Sequence, residues 1–296
     1  MSLWKQFLLG LYYHGTYPVR VYHYWWEVAQ EHLPVIVLFY HRIADDRANQ
    51  WTTSARMFTQ QISWLADRFQ FISLEEAQRR IRLGHNYDPC VSITFDDGYA
   101  ENCRHAIPLL INKQIPCTYF VTLRNVLAQE PFSHDMVMGN RFMPNTLEQL
   151  QAMAAAGIEI GAHAYTHADL GAITDPRLLY YEVVTAGKEL QAAIHQPVRY
   201  FAFPYGQRTN LNPAAFELAR QAGYEGVCSA YGGFNYPGDD AFHLQRIAVD
   251  DNMLSLKNWV TMDPRRIHIP RFEYQKSNNG QDAVAIKQKE LTEQIL

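Results

Sequence analysis

The sequence predicts an α/β fold, in which parallel strands alternate with helices in a sheet or a barrel. Short apolar, β-branched runs of strand length recur along the chain, beginning with residues 35–40. Between these runs, apolar residues recur at helical spacing, as they do at Phe58, Ile62, Leu65 and Phe69. The chain has 296 residues, of which 48% are hydrophobic, and can therefore bury a large core.

Capping residues and apolar runs give the order of the elements. Ser54 can cap the first core helix, and Ser73 with Glu76 forms a capping-box pattern for a second helix, which Gly84 can close. The expected strands are 35–40, 90–95, 117–121, 158–160, 199–203, 226–230 and 244–249. The expected helices lie near 54–69, 73–84, 100–113, 145–157, 175–194, 212–222 and 253–262.

Composition excludes several classes of protein. The 26 basic and 30 acidic residues give a net charge of −4, which argues against a protein that coats nucleic acid. The four cysteines, at 90, 103, 117 and 228, form no C-x-x-C pair and lie in apolar stretches, so we expect buried free thiols. The 12 histidines fit surface positions, core positions or a metal site, and composition does not separate these alternatives.

Residues 1–32 concentrate aromatic side chains among few charges. One interpretation is a leading helix packed on the body of the protein; the alternative is contact of residues 1–30 with a membrane surface or a partner groove. The chain has no apolar run of about 18 residues and no signal-peptide pattern, which predicts a cytoplasmic protein, with contact to the inner membrane as the alternative. From residue 273 the sequence becomes polar, and 273–296 is expected to be a tail or a terminal helix.

Two predicted strands end in residues that suit metal chemistry. In parallel α/β folds, active residues gather at the carboxyl ends of the strands. Asp96 and Asp97 follow one strand, and adjacent carboxylates can both stay ionised if a cation binds one of them. His163 and His167 follow another strand at a spacing that lets two imidazoles reach one ion. Taken separately, each pair also fits an ordinary turn or unrelated histidines, whereas together they form a three-ligand set with room for substrate.

A third strand end carries the sequence Pro204-Tyr205-Gly206. A rigid aromatic turn of this kind can cradle a sugar ring or present a backbone N–H to a developing oxyanion. The same residues are also compatible with a simple tight turn before the helix at 212–222.

Together, these three segments resemble the polysaccharide deacetylase family, also called the NodB homology domain. The family motif T-F-D-D-G is matched at 94–98, H-[ST]-x-x-H by His163 and His167, and the terminal P-Y-G at 204–206. The resemblance implies a distorted (β/α) barrel over residues 33–272, with the homology core at about 89–270. It also implies a divalent metal, with zinc expected, held by Asp97, His163 and His167, and it implies that Asp96 is the general base.

The sequence departs from the family pattern at three positions. Ala164 replaces the usual serine or threonine of the second motif, and Ala202 replaces an arginine that orients the base in many members. Arg246 stands where the late L-x-H motif would place the histidine that acts as the acid. We therefore expect His41, which follows the first strand, to be the acid or to support the site from behind, with His243 as a further alternative.

The resulting functional prediction is a carbohydrate N-deacetylase that acts on carbon–nitrogen bonds other than peptide bonds. Tyr205, Gly206 and Arg246 are the candidate substrate-binding residues, and the expected partner is an N-acetylated glycan, with no nucleic acid and no obligate protein partner. Two alternatives remain open at this point. One is a catalytically silent protein that binds metal and glycan, and the other is a hydrolase for a different C–N bond, such as a deformylase.

Overall fold

The computed structural model describes residues 3–274, in which parallel strands form a curled sheet surrounded by helices. The strands are β1 (Val35–Tyr40), β2 (Arg42–Ile43), β3 (Thr52–Thr53), β4 (Gln70–Phe71), β5 (Cys90–Phe95), β6 (Cys117–Val121), β7 (Glu159–Ala162), β8 (Tyr200–Ala202), β9 (Gly226–Cys228), β10 (His243–Leu244) and β11 (Ile247–Ala248). The helices are α1 (Leu3–Gly15), α2 (Tyr17–Ala29), α3 (Ala55–Ala66), α4 (Leu74–Leu83), α5 (Ala106–Asn112), α6 (Leu123–Ala128), α7 (Ser133–Val137), α8 (Leu147–Ala155), α9 (Pro176–Tyr180), α10 (Ala186–Ile194), α11 (Pro213–Gln221) and α12 (Met253–Val260).

The sheet runs in the order β10-β9-β8-β7-β6-β5-β1-β11, with β4 also paired to β5, and every pairing within it is parallel. The outermost strands of this order, β10 and β11, are separated in the chain by only two residues, Gln245 and Arg246. One short segment therefore pairs with β9 on one side and with β1 on the other, which brings the two edges of the sheet together. The expected α/β fold of the distorted-barrel kind is confirmed.

Local sequence signals place most elements correctly. β1, β5 and β6 have the expected bounds. Ser54 caps α3 by accepting a 3.2 Å hydrogen bond from the Met57 amide, and Ser73 caps α4 by accepting one from Glu76 at 3.1 Å. Gly84 ends α4 with φ of 74°, a conformation that glycine adopts without steric cost.

Three elements differ from the sequence-based expectation. The expected helix at 100–113 is a 3₁₀ turn at Ala100–Arg104 followed by α5. The expected helix at 175–194 contains a π-helical turn at Tyr181–Thr185 between α9 and α10. The expected strand at 244–249 is interrupted at residues 245 and 246, where the Arg246 side chain enters the barrel.

The N-terminal helices pack on the barrel through polar groups. The Tyr12 hydroxyl donates to Asp263 Oδ1 at 2.7 Å, and Arg20 donates to the backbone and side-chain oxygens of Asn258, each at 2.7 Å. All four cysteines are free thiols, as expected, although Cys103 is only half-buried. Of the expected tail at 273–296, residues 275–296 lie outside the described residues.

Candidate metal and active site

The strand ends of β5 and β7 bring the two aspartates and two histidines of the sequence motifs together. Asp96 and Asp97 follow β5 directly, and His163 follows β7. The turn after the aspartates needs Gly98, which has φ of 95°, and a Cβ at that position would lie 3.0 Å from Val121 Cγ1. This turn sends the two carboxylates in different directions, so each has its own set of partners.

Asp97 faces both histidines. Its Oδ1 atom lies 3.5 Å from His163 Nε2 and 3.1 Å from His167 Nε2. One ligand atom from each of the three residues lies within 4.8 Å of the others. Asp97 Oδ1 is buried and has no hydrogen-bond partner, and such an orphaned buried oxygen is costly unless something binds it.

The protonation states also suit metal ligands. His163 Nδ1 lies 2.8 Å from the carbonyl oxygen of Ala202, an acceptor, so Nδ1 carries the proton and Nε2 presents its lone pair to the site. Burial lowers the pKa of His163 to about 4, which keeps the imidazole neutral near pH 7. Burial alone raises the pKa of Asp97, but His167, His41 and His163 more than offset that effect and hold the pKa well below its usual range.

Several site residues adopt a left-handed backbone conformation that residues other than glycine seldom adopt. The φ angles are 71° at Asp97, 60° at Ala164, 63° at His167 and 58° at Tyr205. Conformations of this kind cost roughly 1–3 kcal/mol each and persist where the surrounding structure enforces them, often at functional sites. Their concentration in the three sequence motifs indicates that the positions of these side chains, rather than local stability, constrain the backbone here.

Asp96 is bound to Arg246 rather than to the histidines. The guanidinium donates two parallel hydrogen bonds to the carboxylate, at 2.6 Å to Oδ1 and 2.8 Å to Oδ2. Further bonds to Thr94 Oγ1 and the Ser229 carbonyl, both at 3.1 Å, fix the arginine in place. Burial raises the pKa of Asp96, but Arg246 and His163 lower it by more than burial raises it, so the carboxylate stays ionised. Arg246 is fully buried, and its guanidinium is hydrogen-bonded to the Asp96 carboxylate.

The histidine-bearing loop is held by Glu182, a residue that sequence reasoning missed. The Glu182 carboxylate accepts from the amides of Tyr165 and Thr166, both at 2.9 Å, and from the Thr166 hydroxyl at 2.6 Å. This buried carboxylate therefore braces the loop in which Ala164 replaces the expected serine or threonine. Glu182 lies in the π-helical turn between α9 and α10, and no local sequence signal marks that turn.

His134 of α7 is a second residue that sequence reasoning missed. Its Nε2 atom lies 2.9 Å from the Tyr99 hydroxyl and 3.8 Å from Asp97 Oδ2, and its ring centre is 5.1 Å from that of His167. The Tyr99 hydroxyl donates to Asp135 Oδ2 at 2.6 Å. The loop after β6 thus forms one wall of the site, and its sequence, His134-Asp135, resembles an ordinary polar helix start.

The remaining predicted residues lie around the rim. The His41 ring contacts Trp51, with ring centres 5.0 Å apart, and His41 is one of the groups that lower the pKa values of Asp96 and Asp97. The half-exposed Tyr205 ring lies 4.9 Å from that of His167. Gly206 packs so closely that a Cβ there would lie 2.7 Å from Ala230, which explains the glycine. His243 lies apart from this group, because its Nε2 atom bonds the Ser229 hydroxyl at 2.8 Å and its ring packs against Phe216.

The residues present fit a divalent metal. Two imidazoles and one carboxylate are the donor set of open catalytic zinc-type sites, and the buried, unpartnered Asp97 Oδ1 supplies the negative charge that such an ion requires. Asp97, His163 and His167 would hold the ion. The same donors are also compatible with other divalent transition metals, so the donor set defines the class of metal rather than its identity.

We expect the double variant His163→Ala/His167→Ala to bind zinc more than about 100-fold more weakly than the unaltered protein, because two of three ligands are lost. Isothermal titration of the metal-stripped protein measures the affinity. The matched control is His105→Ala/His268→Ala, which removes two exposed histidines and is expected to leave the affinity unchanged. Stoichiometric, tight zinc binding by the first variant would refute the ligand assignment.

A curled parallel sheet with Asp and His side chains at its carboxyl edge defines a NodB-type fold with a candidate hydrolytic site. The sequence profile of the polysaccharide deacetylase family matches residues 84–227. YxkH of Bacillus subtilis (strain 168), provisionally named a polysaccharide deacetylase, is 25% identical over 232 residues, which cover 77% of this chain and 76% of YxkH. Over residues 84–227 the chain is therefore similar to the polysaccharide deacetylase family.

Solved structures show the same fold. IcaB from Ammonifex degensii is 25% identical, with a TM-score of 0.63 over 77% of this chain and 97% of the IcaB chain. The deacetylase PplD from Streptococcus pyogenes, solved in complex with acetate, has a TM-score of 0.63 at 22% identity, covering 78% of this chain and 98% of that chain. The likeness to PplD concerns the fold alone.

Proposed function

We propose that this protein is a metal-dependent N-deacetylase that removes acetyl groups from N-acetylated sugars of a polysaccharide or related glycan. One observation carries the proposal: an ionised carboxylate without a metal-ligand role, Asp96, is held by Arg246 beside the Asp97-His163-His167 cluster. The match of residues 84–227 to the polysaccharide deacetylase family and the likeness to YxkH support the same class of reaction.

The chain's own residues divide the work of amide hydrolysis between them. When bound, a divalent ion would supply Lewis acidity for the acetamide carbonyl and lower the pKa of water toward ~7. Asp96 accepts the proton of the attacking water, because each of its oxygens keeps a lone pair beyond the one that Arg246 uses. Arg246 fixes the direction of these lone pairs and keeps the carboxylate ionised.

The leaving amine needs a proton, and His41 is the group we assign to this role. His41 follows β1, which pairs with β5, so its side chain approaches the same carboxyl edge as Asp96. Its ring is half-buried against Trp51 and Phe39, with ring centres 5.0 Å and 5.4 Å away, which restricts its orientation. Arg246 cannot serve as this acid, because a guanidinium does not release its proton near neutral pH.

Substrate recognition combines a backbone donor with exposed aromatic rings. Among residues 3–274, no acceptor is found for the Tyr205 backbone N–H, which leaves it free to donate to a developing oxyanion, an interaction worth on the order of 3 kcal/mol. The exposed rings of Trp51 and Tyr205 contact His41 and His167 respectively, so they flank the site. Such amphipathic faces suit the apolar face of a pyranose ring.

The two alternative functions gain no specific support. A silent binding protein has no use for an ionised carboxylate that a buried arginine orients beside the metal ligands. A deformylase would use the same catalytic groups and would differ only in the acyl group it accepts. The cytoplasmic location and the absence of nucleic-acid and obligate protein partners stay predictions from the sequence.

The decisive experiment measures acetate release from N-acetylglucosamine oligomers by the zinc-loaded protein. N-formylglucosamine oligomers are assayed in parallel for formate release. Faster release of acetate supports the proposal, whereas faster release of formate favours the deformylase. Background release from both substrates, with intact metal binding, would favour the silent binding protein.

We expect His41→Gln to lower kcat for acetate release by about 10²- to 10⁴-fold, because glutamine cannot protonate the leaving amine. Zinc affinity should be unchanged, because His41 is not among the assigned ligands. Substrates with better leaving groups distinguish a proton donor from a structural residue. The variant should lose less activity on acylated anilines than on sugar amides, because an aniline depends less on protonation as it leaves. Equal losses on both substrates would contradict the role of His41 as the acid.

A further inference from the structure

The N-terminal helix α2 has an inverted pattern of burial. Within α2, all of which the structure describes, the one buried residue is Arg20, which is 3% exposed. Its outward face instead carries large aromatic side chains, with Tyr22 61%, Trp25 62% and Trp26 53% exposed. A helix normally buries its apolar side chains and exposes its charges. This reversed arrangement indicates that the outward face of α2 is an interaction surface.

Helix α1 continues the same exposed surface. Trp4, Phe7, Leu8 and Leu11 are between 47% and 66% exposed. Neighbouring rings stack within each helix, Trp4 on Phe7 in α1 and Tyr22 on Trp26 in α2. The exposed rings therefore form stripes rather than isolated side chains. We refer to the exposed apolar side chains of α1 and α2 as the aromatic face. Tryptophan and tyrosine are the side chains favoured at the boundary between water and lipid.

Basic residues are concentrated beside the aromatic face. Helix α1 packs on α12, so residues 3–29 and 257–266 form one surface region. Arg20 and Asp263 are buried in this region, where Arg20 Nη2 lies 3.9 Å from Asp263 Oδ1. The accessible charged side chains are four basic ones (Lys5, Lys257, Arg265 and Arg266) and one acidic one (Glu27), a net charge of +3 against −4 for the whole chain. Juxtaposed aromatic and cationic groups match the surface of an anionic bilayer.

An apolar cavity opens beneath α2. It has a volume of about 430 Å³ and lies between the helix residues Val21, Tyr24 and Trp25 and the start of the barrel strands, at Leu33 and Pro89. This volume is within the range of small-molecule sites. The cavity lies at the amino ends of β1 and β5, whereas Asp96 and Asp97 lie at the carboxyl end of β5. The aromatic face beside the cavity and the candidate active site are therefore at opposite ends of the barrel.

We propose that the aromatic face of α1 and α2 binds the interface of an anionic phospholipid bilayer, with the cavity beneath α2 accommodating a lipid acyl chain. Among residues 3–274, no helix has the length and hydrophobicity needed to cross a bilayer, so the contact is peripheral. Bound in this way, the protein holds its active site away from the lipid surface, where a glycan extending from that surface can reach it.

Flotation of the full chain with lipid vesicles tests this proposal. We expect binding to vesicles of phosphatidylcholine mixed with phosphatidylglycerol, together with a blue shift of tryptophan emission. Binding should be at least about tenfold weaker to phosphatidylcholine alone. It should weaken equally at high salt, where a Debye length of ~3 Å screens the attraction between charges. Tyr22→Ser/Trp26→Ser should weaken binding by at least about tenfold. The matched control, Leu127→Ser/Leu178→Ser, alters two exposed leucines elsewhere and should bind like the unaltered protein.

Thermal unfolding separates loss of binding from loss of folding, because both variants alter exposed side chains and should keep the melting temperature. Three results would overturn the proposal. The first is absence of vesicle binding by the full chain, and the second is equal loss of binding in both variants. The third is concentration-dependent dimerisation of the full chain, abolished by Tyr22→Ser/Trp26→Ser, together with absence of vesicle binding. That result would assign the aromatic face to a second copy of the chain. These readouts do not depend on catalytic activity.

Discussion

Replacing Asp96 by asparagine is expected to lower kcat for acetate release by about 10²- to 10⁴-fold. An amide cannot accept the proton of the attacking water, while the volume of the side chain and its approach to Arg246 are largely preserved. Acetate release from N-acetylglucosamine oligomers, measured with zinc-loaded protein, checks the effect. Zinc affinity measured by calorimetry should stay within a small factor, because Asp97 and the two histidines are intact.

The control for Asp96→Asn is Asp67→Asn. Asp67 follows α3 with a side chain that is 75% exposed, and its partner Arg68 is also at the surface. Removing this carboxylate should change neither kcat nor zinc affinity. If Asp96→Asn kept more than a tenth of the original kcat, Asp96 would not be the base.

Replacing Arg246 by leucine is expected to lower the free energy of unfolding by about 3–5 kcal/mol. The substitution leaves the buried Asp96 carboxylate without its two charge-assisted hydrogen bonds, and the unpaired charge rather than the lost contact accounts for most of the cost. Chemical denaturation of the metal-free protein measures the change. A loss of kcat should accompany it, since the leucine variant no longer orients the base.

A double-mutant cycle separates the ion pair from ordinary packing. In Asp96→Asn/Arg246→Leu the buried charge is absent, so we expect the double variant to be more stable than Arg246→Leu alone, with a coupling of at least about 2 kcal/mol. Arg246→Lys should retain part of the stability but less of the activity, because an ammonium cannot form both parallel bonds. Additive effects of the two single variants would show that Arg246 acts by packing and not through Asp96.

Arg246 and Glu182 explain how the chain tolerates two of its departures from the family pattern. The arginine that the third motif lacks at Ala202 has a functional counterpart in Arg246, which reaches Asp96 from the segment between β10 and β11. The loop contact that Ala164 cannot make has a counterpart in Glu182. In each case a side chain from a distant part of the sequence supplies a charge or hydrogen bonds to the motif residues.

Sequence patterns were sufficient for those parts of the fold that depend on local interactions. Continuous apolar runs located β1, β5 and β6, and the serines before α3 and α4 located their caps, because each signal acts within a few residues. The interruption at residues 245 and 246 and the π-helical turn at 181–185 could not be predicted in this way. Both place a side chain, Arg246 or Glu182, against a partner more than 10 residues away in the sequence.

By itself, the sequence determined the α/β class, the family resemblance and the candidate ligands Asp97, His163 and His167, because strand ends in a parallel fold converge and the motif spacing is local. Only the tertiary structure decided that Arg246 pairs with Asp96, that His134 and Glu182 belong to the site, and that α2 buries an arginine and exposes its aromatic residues. Each of these facts depends on which distant side chains are buried next to each other. A buried charge must be paired, because an unpaired charge in the interior is too costly, and the partner is known only from the tertiary structure.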